Sequence, residues 1–177
     1  MFLLYTLLIS AVLVAGQECD VGELDFKGFD PVKYTGTWYE HYRTPNSDEN
    51  VFIGCEFDRY FESADGIDVI SVAYNKTKAG FIISTGKIVS ATDNSFSISY
   101  SNDPSWSSQY WVIGTDYDTY SIVTGCIEGS STPLIWVASK SKLMSAEGEN
   151  AVKEILQAHG LDFADLEAVD QSLCGDQ

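Results

Sequence analysis

Phe96-Ser97-Ile98-Ser99-Tyr100 alternates large apolar residues with serine. Side chains two apart in a strand share a face, so one face here is apolar and the other small and polar. Leu134 and Trp136 repeat the theme. Working outward, Gly36 to Ser141 reads as strand after strand, with turn residues roughly every 8–12 positions. The expected strands are Thr37–Thr44, Gly54–Phe61, Ile67–Asn75, Gly80–Val89, Ser95–Ser101, Gln109–Gly114, Thr119–Ile127 and Leu134–Ser139. Their separators are turn-like, as at Ala64-Asp65-Gly66, Lys78-Ala79-Gly80, Thr92-Asp93-Asn94, Asn102-Asp103-Pro104, Asp116-Tyr117-Asp118 and Gly129 to Pro133. Short connections imply an antiparallel meander. Closing that meander into an up-and-down barrel removes both free edges, and eight strands enclose room for one small ligand. A β-sandwich with a filled core is the competing architecture.

One segment is helical by pattern. Ser145 caps its start, and Glu147 and Glu149 suit the positive end of the helix dipole. Val152, Ile155, Leu156 and His159 form an apolar stripe, and Gly160 fits the position after the last turn. The stripe predicts a helix packed outside the β structure. The expected fold is all-β: an eight-stranded antiparallel up-and-down barrel with one C-terminal α-helix.

The chain has 177 residues, 45% hydrophobic and 13% aromatic, which excludes a disordered acidic tail and suits one domain. Its 26 acids and 10 bases give a formal net charge of −16. That sum excludes wrapping of nucleic acid and argues against attraction to an anionic membrane leaflet. Met1 to Gly16 is uncharged and mostly apolar, shorter than a span of roughly 20 residues. It ends in Val14-Ala15-Gly16, so it reads as a cleaved secretory signal at 1–16, leaving a single extracellular domain at 17–177. No further segment is apolar enough for membrane insertion. Four cysteines, Cys19, Cys55, Cys126 and Cys174, suggest two disulfides in a secreted chain, with three pairings open. With only His41 and His159 to assist widely spaced cysteines, no metal site is expected. Asn75-Lys76-Thr77 is the one N-glycosylation triplet.

Three short motifs carry a family resemblance. Gly36-Thr37-Trp38-Tyr39 opens the first strand, Thr115-Asp116-Tyr117 sits between the sixth and seventh, and Trp136-Val137-Ala138-Ser139-Lys140 ends the eighth. In this order, with a following helix, they resemble the lipocalin family from Asp30 to about Cys174. Within it the likeness is to the insect bilin-binding branch, with the apolipoprotein D branch nearby. The resemblance implies that Gly36, Trp38, Thr115, Asp116, Tyr117 and Lys140 serve the fold. Lys140 stands where the family usually places an Arg over the Trp38 ring. It also implies pairing of Cys19 with Cys126 and of Cys55 with Cys174.

A lipocalin binds its ligand inside the barrel, and motif alignment plus alternation gives the expected inward positions. These are Glu40 and Arg43 on the first strand, Tyr74 on the third, and Ile82 and Ser84 on the fourth. Phe96, Ile98 and Tyr100 follow on the fifth, and Tyr110 and Val112 on the sixth. Val123 and Gly125 come from the seventh, and Leu134 and Trp136 from the eighth. The resemblance implies a non-enzymatic carrier of a small hydrophobic ligand, foremost a non-covalent biliverdin-type bilin. A lipid, retinoid or carotenoid is the alternative. A bilin needs cations for its propionates, and Arg43, Lys76 and Lys78 are the nearest bases. No base occurs between Lys87 and Lys140, which favours a neutral ligand. Homo-oligomer formation is left open.

Overall fold

A computed structural model describes residues 19–47, 49–52, 54–101, 108–126 and 132–175. The expected signal segment, strand-end Ile127 and the turns at 102–104 and 129–131 lie outside the described residues. The strands are β1 (Gly36–Arg43), β2 (Phe57–Ser63), β3 (Gly66–Asn75), β4 (Gly80–Ala91), β5 (Ser95–Tyr100), β6 (Ser108–Thr115), β7 (Ser121–Gly125) and β8 (Leu134–Ser139). Each pairs antiparallel with the next, and β8 returns to β1, which also pairs with β2. The ring is closed, and the barrel rather than the sandwich is the architecture.

Two strands start later than the pattern predicts. Cys55 (φ 48°) and Gly54 (φ 143°) have positive φ, so β2 begins at Phe57 instead of Gly54. A Cβ on Gly54 would lie 2.1 Å from the Asp170 carbonyl oxygen, so glycine admits the C-terminal tail here. β7 begins at Ser121 because the Thr119 and Tyr120 N–H groups donate to Asp116 Oδ1, at 2.8 and 3.1 Å.

The barrel floor is a plug of rings. Tyr34 stacks on Trp38 with centroids 4.9 Å apart, and Phe29 stacks on Phe96 at 5.2 Å. Trp38 is buried and its Nε1–H donates to the Tyr34 carbonyl at 2.8 Å. Lys140 Nζ sits 5.1 Å from the Trp38 ring centroid and reaches across Gly36, whose absent Cβ leaves it room. Tyr117 accepts from the Asp30 N–H (3.0 Å) and donates to the Gly28 carbonyl (3.1 Å). Thr115 Oγ1 donates to the Tyr120 carbonyl at 2.8 Å. The motif residues therefore build the closed end and its N-terminal strap.

Helix α1 (Ala146–Ala158) starts at Ser145, whose Oγ accepts from the Gly148 N–H at 3.0 Å. Its Val152 and Leu156 are fully buried in a second core with Ile113, Ile122, Ile135 and Val137, on the outer face of β6, β7 and β8. His159 ends the helix, its Nδ1 bonded to the Ile155 carbonyl at 2.9 Å. Beyond it the tail adds a two-residue strand, β9 (Glu167–Ala168), on the outer edge of β1. Cys19 is bonded to Cys126 and Cys55 to Cys174, the pairing implied by the resemblance.

Candidate functional site

The barrel encloses a cavity of about 180 Å³ above the aromatic plug. Nine of the fourteen expected inward residues line it: Glu40, Ile82, Ser84, Phe96, Ile98, Tyr100, Tyr110, Val123 and Trp136. Five do not. Val112 is fully buried in the plug beneath, and Gly125 and Leu134 are buried in the wall outside the lining. Tyr74 lies off the lining, to which β3 contributes Ser71, Val72 and Ala73; its ring meets Phe81 edge-on at 5.3 Å. Arg43 is the most consequential departure.

A register shift between Glu40 and Tyr42 turns Tyr42 outward and brings Arg43, three residues on, to the side of Glu40, whose Oε1 lies 3.5 Å from its Nη1. The guanidinium, with only 5% of its side chain exposed, is fully committed to protein groups. Nη1 donates to both Glu56 carboxylate oxygens at 2.8 Å, and Nε donates to Glu167 at 2.9 Å. Nη2 donates to the carbonyls of Glu49 (3.3 Å) and Phe52 (3.1 Å). Arg43 is thus a brace between β1, the segment before β2, the loop at the cavity mouth that carries Glu49 and Phe52, and β9. It is not a counter-ion waiting for a ligand.

Three carboxylates that the sequence pattern did not single out line the cavity with Glu40: Glu49, Glu56 and Asp58. Glu49 folds in from the mouth loop, accepting from Trp136 Nε1–H at 3.1 Å while its own N–H donates to Asn46 Oδ1 at 2.9 Å. Asp58 stands on β2 among hydroxyls. Burial pushes its carboxyl up to about 6, against hydrogen bonds from Ser71 and Tyr60 that pull it down. Among the described residues Glu40 Oε1 has no hydrogen-bond partner; it is buried 3.5 Å from Arg43 Nη1. Burial, followed by the neighbouring charges of Glu56 and Glu49, holds Glu40 well above the usual carboxylate range. Among the described residues no Lys, Arg or His lines the cavity. The walls are aromatic, with Phe96 stacked on Tyr110 at 5.5 Å and Tyr110 edge-on to Trp136 at 5.8 Å.

Lys76 and Lys78 also stand outside the lining, exposed at the β3–β4 turn. Asn75 of the glycosylation triplet is 7% exposed, its Oδ1 accepting from the Lys78 N–H at 2.9 Å. All four cysteines are in disulfides, so none supplies a thiol.

The chain is similar to several proteins of known structure. The major allergen Per a 4 from cockroaches is 44% identical, with a TM-score of 0.81 over 89% of this chain and 98% of that one. The amine binding protein of Rhodnius prolixus, solved as its tryptamine complex, is 25% identical (TM-score 0.64, 83% of this chain, 84% of that one). Insecticyanin from the tobacco hornworm Manduca sexta is 19% identical (TM-score 0.73, 90% of each chain), a likeness of fold alone. Residues 35–172 match the model of the lipocalin / cytosolic fatty-acid binding protein family. The motifs, the closed barrel, the interior cavity and that match agree: the chain is a lipocalin, of a family that binds small hydrophobic ligands.

Proposed function

We propose that this lipocalin is an extracellular carrier of a small aromatic amine. The observation that carries the reading is the lining: aromatic walls, four carboxylates and no base. A ring suits the Phe96, Tyr110 and Trp136 surfaces by stacking. An ammonium group supplies the donor that buried Glu40 Oε1 lacks. It also offsets charge in a cluster where Arg43 alone faces Glu40, Glu49 and Glu56. The tryptamine complex of the Rhodnius prolixus protein supports the same ligand class. The biliverdin-type bilin expected from the resemblance fits less well. Its two propionates would enter beside four acids, with Arg43 already engaged. A neutral carotenoid, retinoid or lipid would leave Glu40 unanswered.

Calorimetric titration with tryptamine tests the reading. Glu40→Gln is expected to weaken binding roughly 10- to 100-fold, the worth of a hydrogen bond to a charged group. An unchanged affinity would remove Glu40 from the site. A protein from its natural source that shows the visible band of a bilin, and ignores tryptamine, would restore the pigment reading.

Affinity should also depend on pH. Protons and the ammonium group compete for the same carboxylates, and Asp58 titrates at about 6. Tryptamine stays protonated throughout, so its binding is expected to weaken as pH falls through 6. The unliganded protein behaves in the opposite sense. A carboxyl raised from 3.8 to about 6 contributes stability below 3.8 that is lost as pH rises through 6. Amine should therefore raise the melting temperature more near neutral pH than in acid. An equal shift at both would show that the carboxylates do not take part.

A further inference from the structure

The β3–β4 hairpin carries charge and apolar surface that the cavity does not use. From Val69 to Thr92 the chain has three lysines and no acid, within a protein of net charge −16. Lys87 is engaged with Asp65 (3.8 Å) and Asp68 (3.7 Å). Lys76 and Lys78 are exposed at the turn, and among the described residues neither enters an ion pair. Beside them Phe81 is 52% and Ile83 56% exposed, with Tyr74 packed against Phe81.

The hairpin stands at the cavity mouth. Phe52 of the mouth loop bridges to Asn75, and the Lys76 N–H donates to the Val51 carbonyl at 2.9 Å. Helix α1, with Glu147, Glu149 and Glu154 against Lys153, covers β6, β7 and β8 on the far side of the barrel. The hairpin is thus a cationic element within a sum of −16.

We propose that this hairpin docks the barrel mouth onto an anionic lipid surface. Paired lysines beside exposed aromatic and aliphatic side chains suit the headgroup boundary, where ammonium groups meet lipid phosphates and carboxylates while rings enter the acyl edge. Screening over roughly 8 Å at physiological ionic strength lets the two turn lysines, and not the acids of helix α1, set the interaction. A second copy of the chain fits less well, because a two-fold interface through this patch sets lysines against lysines. Docking in this pose lets an amphiphilic aromatic amine pass between the headgroup boundary and the cavity.

Co-sedimentation of the purified full-length protein with vesicles tests this. Vesicles of phosphatidylcholine mixed with phosphatidylserine are expected to bind it, and vesicles of phosphatidylcholine alone to leave it in solution. Binding should fall steeply as salt is raised. Lys76→Gln combined with Lys78→Gln is expected to weaken partitioning roughly thirtyfold, and Phe81→Ser roughly tenfold. Both variants alter exposed side chains, and an unchanged melting temperature verifies their folding. The proposal is overturned if anionic vesicles show no salt-sensitive binding, or if the double lysine variant binds as the parent does. It is equally overturned if the parent ignores vesicles yet binds soluble polyglutamate, which would mark the patch as a site for an acidic protein.

Discussion

Arg43→Met is expected to lower the free energy of unfolding by about 3–5 kcal/mol near neutral pH, read from urea denaturation. Methionine keeps the apolar stem and removes the fork. Glu56 then loses both of its 2.8 Å hydrogen bonds, Glu167 loses its donor, and the Glu49 and Phe52 carbonyls lose the Arg43 Nη2 donor. Glu40, already without a hydrogen bond at Oε1, loses its nearest cation. Uncompensated buried carboxylates take up protons instead. Their raised pKa values contribute stability in acid that disappears as pH rises, so the deficit should shrink toward pH 4. Adding Glu56→Gln to Arg43→Met should recover part of the loss, since breaking a buried pair costs more than replacing it. A deficit under about 1 kcal/mol, independent of pH, would show that Arg43 does not brace the cluster.

Cys55→Ser combined with Cys174→Ser is expected to cost on the order of 4–5 kcal/mol, because the bond spans 119 residues and restricts the unfolded chain. The bond also holds the tail against the site. Gln171 Nε2 donates to the Glu56 carbonyl at 2.9 Å, and Glu167 reaches Arg43 through β9. A released tail would therefore also loosen the acid cluster, and tryptamine affinity should fall with stability. Denaturation and calorimetry on the same variant separate the two effects. A stability loss with intact affinity would show that the bond serves the fold alone.

The barrel was legible in the sequence because β5 and β8 alternate cleanly and turn residues punctuate the chain. The helix announced itself through Ser145 and the Val152–Leu156 stripe. The site was only partly legible. In Phe57-Asp58-Arg59-Tyr60-Phe61 apolar residues fall on both faces, so the inward position of Asp58 was hidden. Exposed Arg59 was the available signal, since it sends Asp58 and Tyr60 to the other face. β3 inverted the usual rule: Ser71 and Ala73 face the cavity, while Tyr74 packs with half-exposed Phe81. Ser71, Val72 and Ala73 all reach the lining, so β3 carries no simple alternation. Arg43 misled because a lone base on an inward strand resembles a counter-ion. Its partners Glu56 and Glu167 lie 13 and 124 residues away, the latter on a strand of two residues. No local period encodes such a meeting.

The central claim is that the cavity selects a positive charge on an aromatic ligand. Calorimetric titration near neutral pH with tryptamine, neutral tryptophol and anionic indole-3-acetate tests it on one ring system. Tryptamine is predicted to bind roughly 10- to 100-fold more tightly than tryptophol, with indole-3-acetate weakest of the three. Equal or tighter binding of tryptophol would contradict charge selection while leaving an aromatic carrier in place.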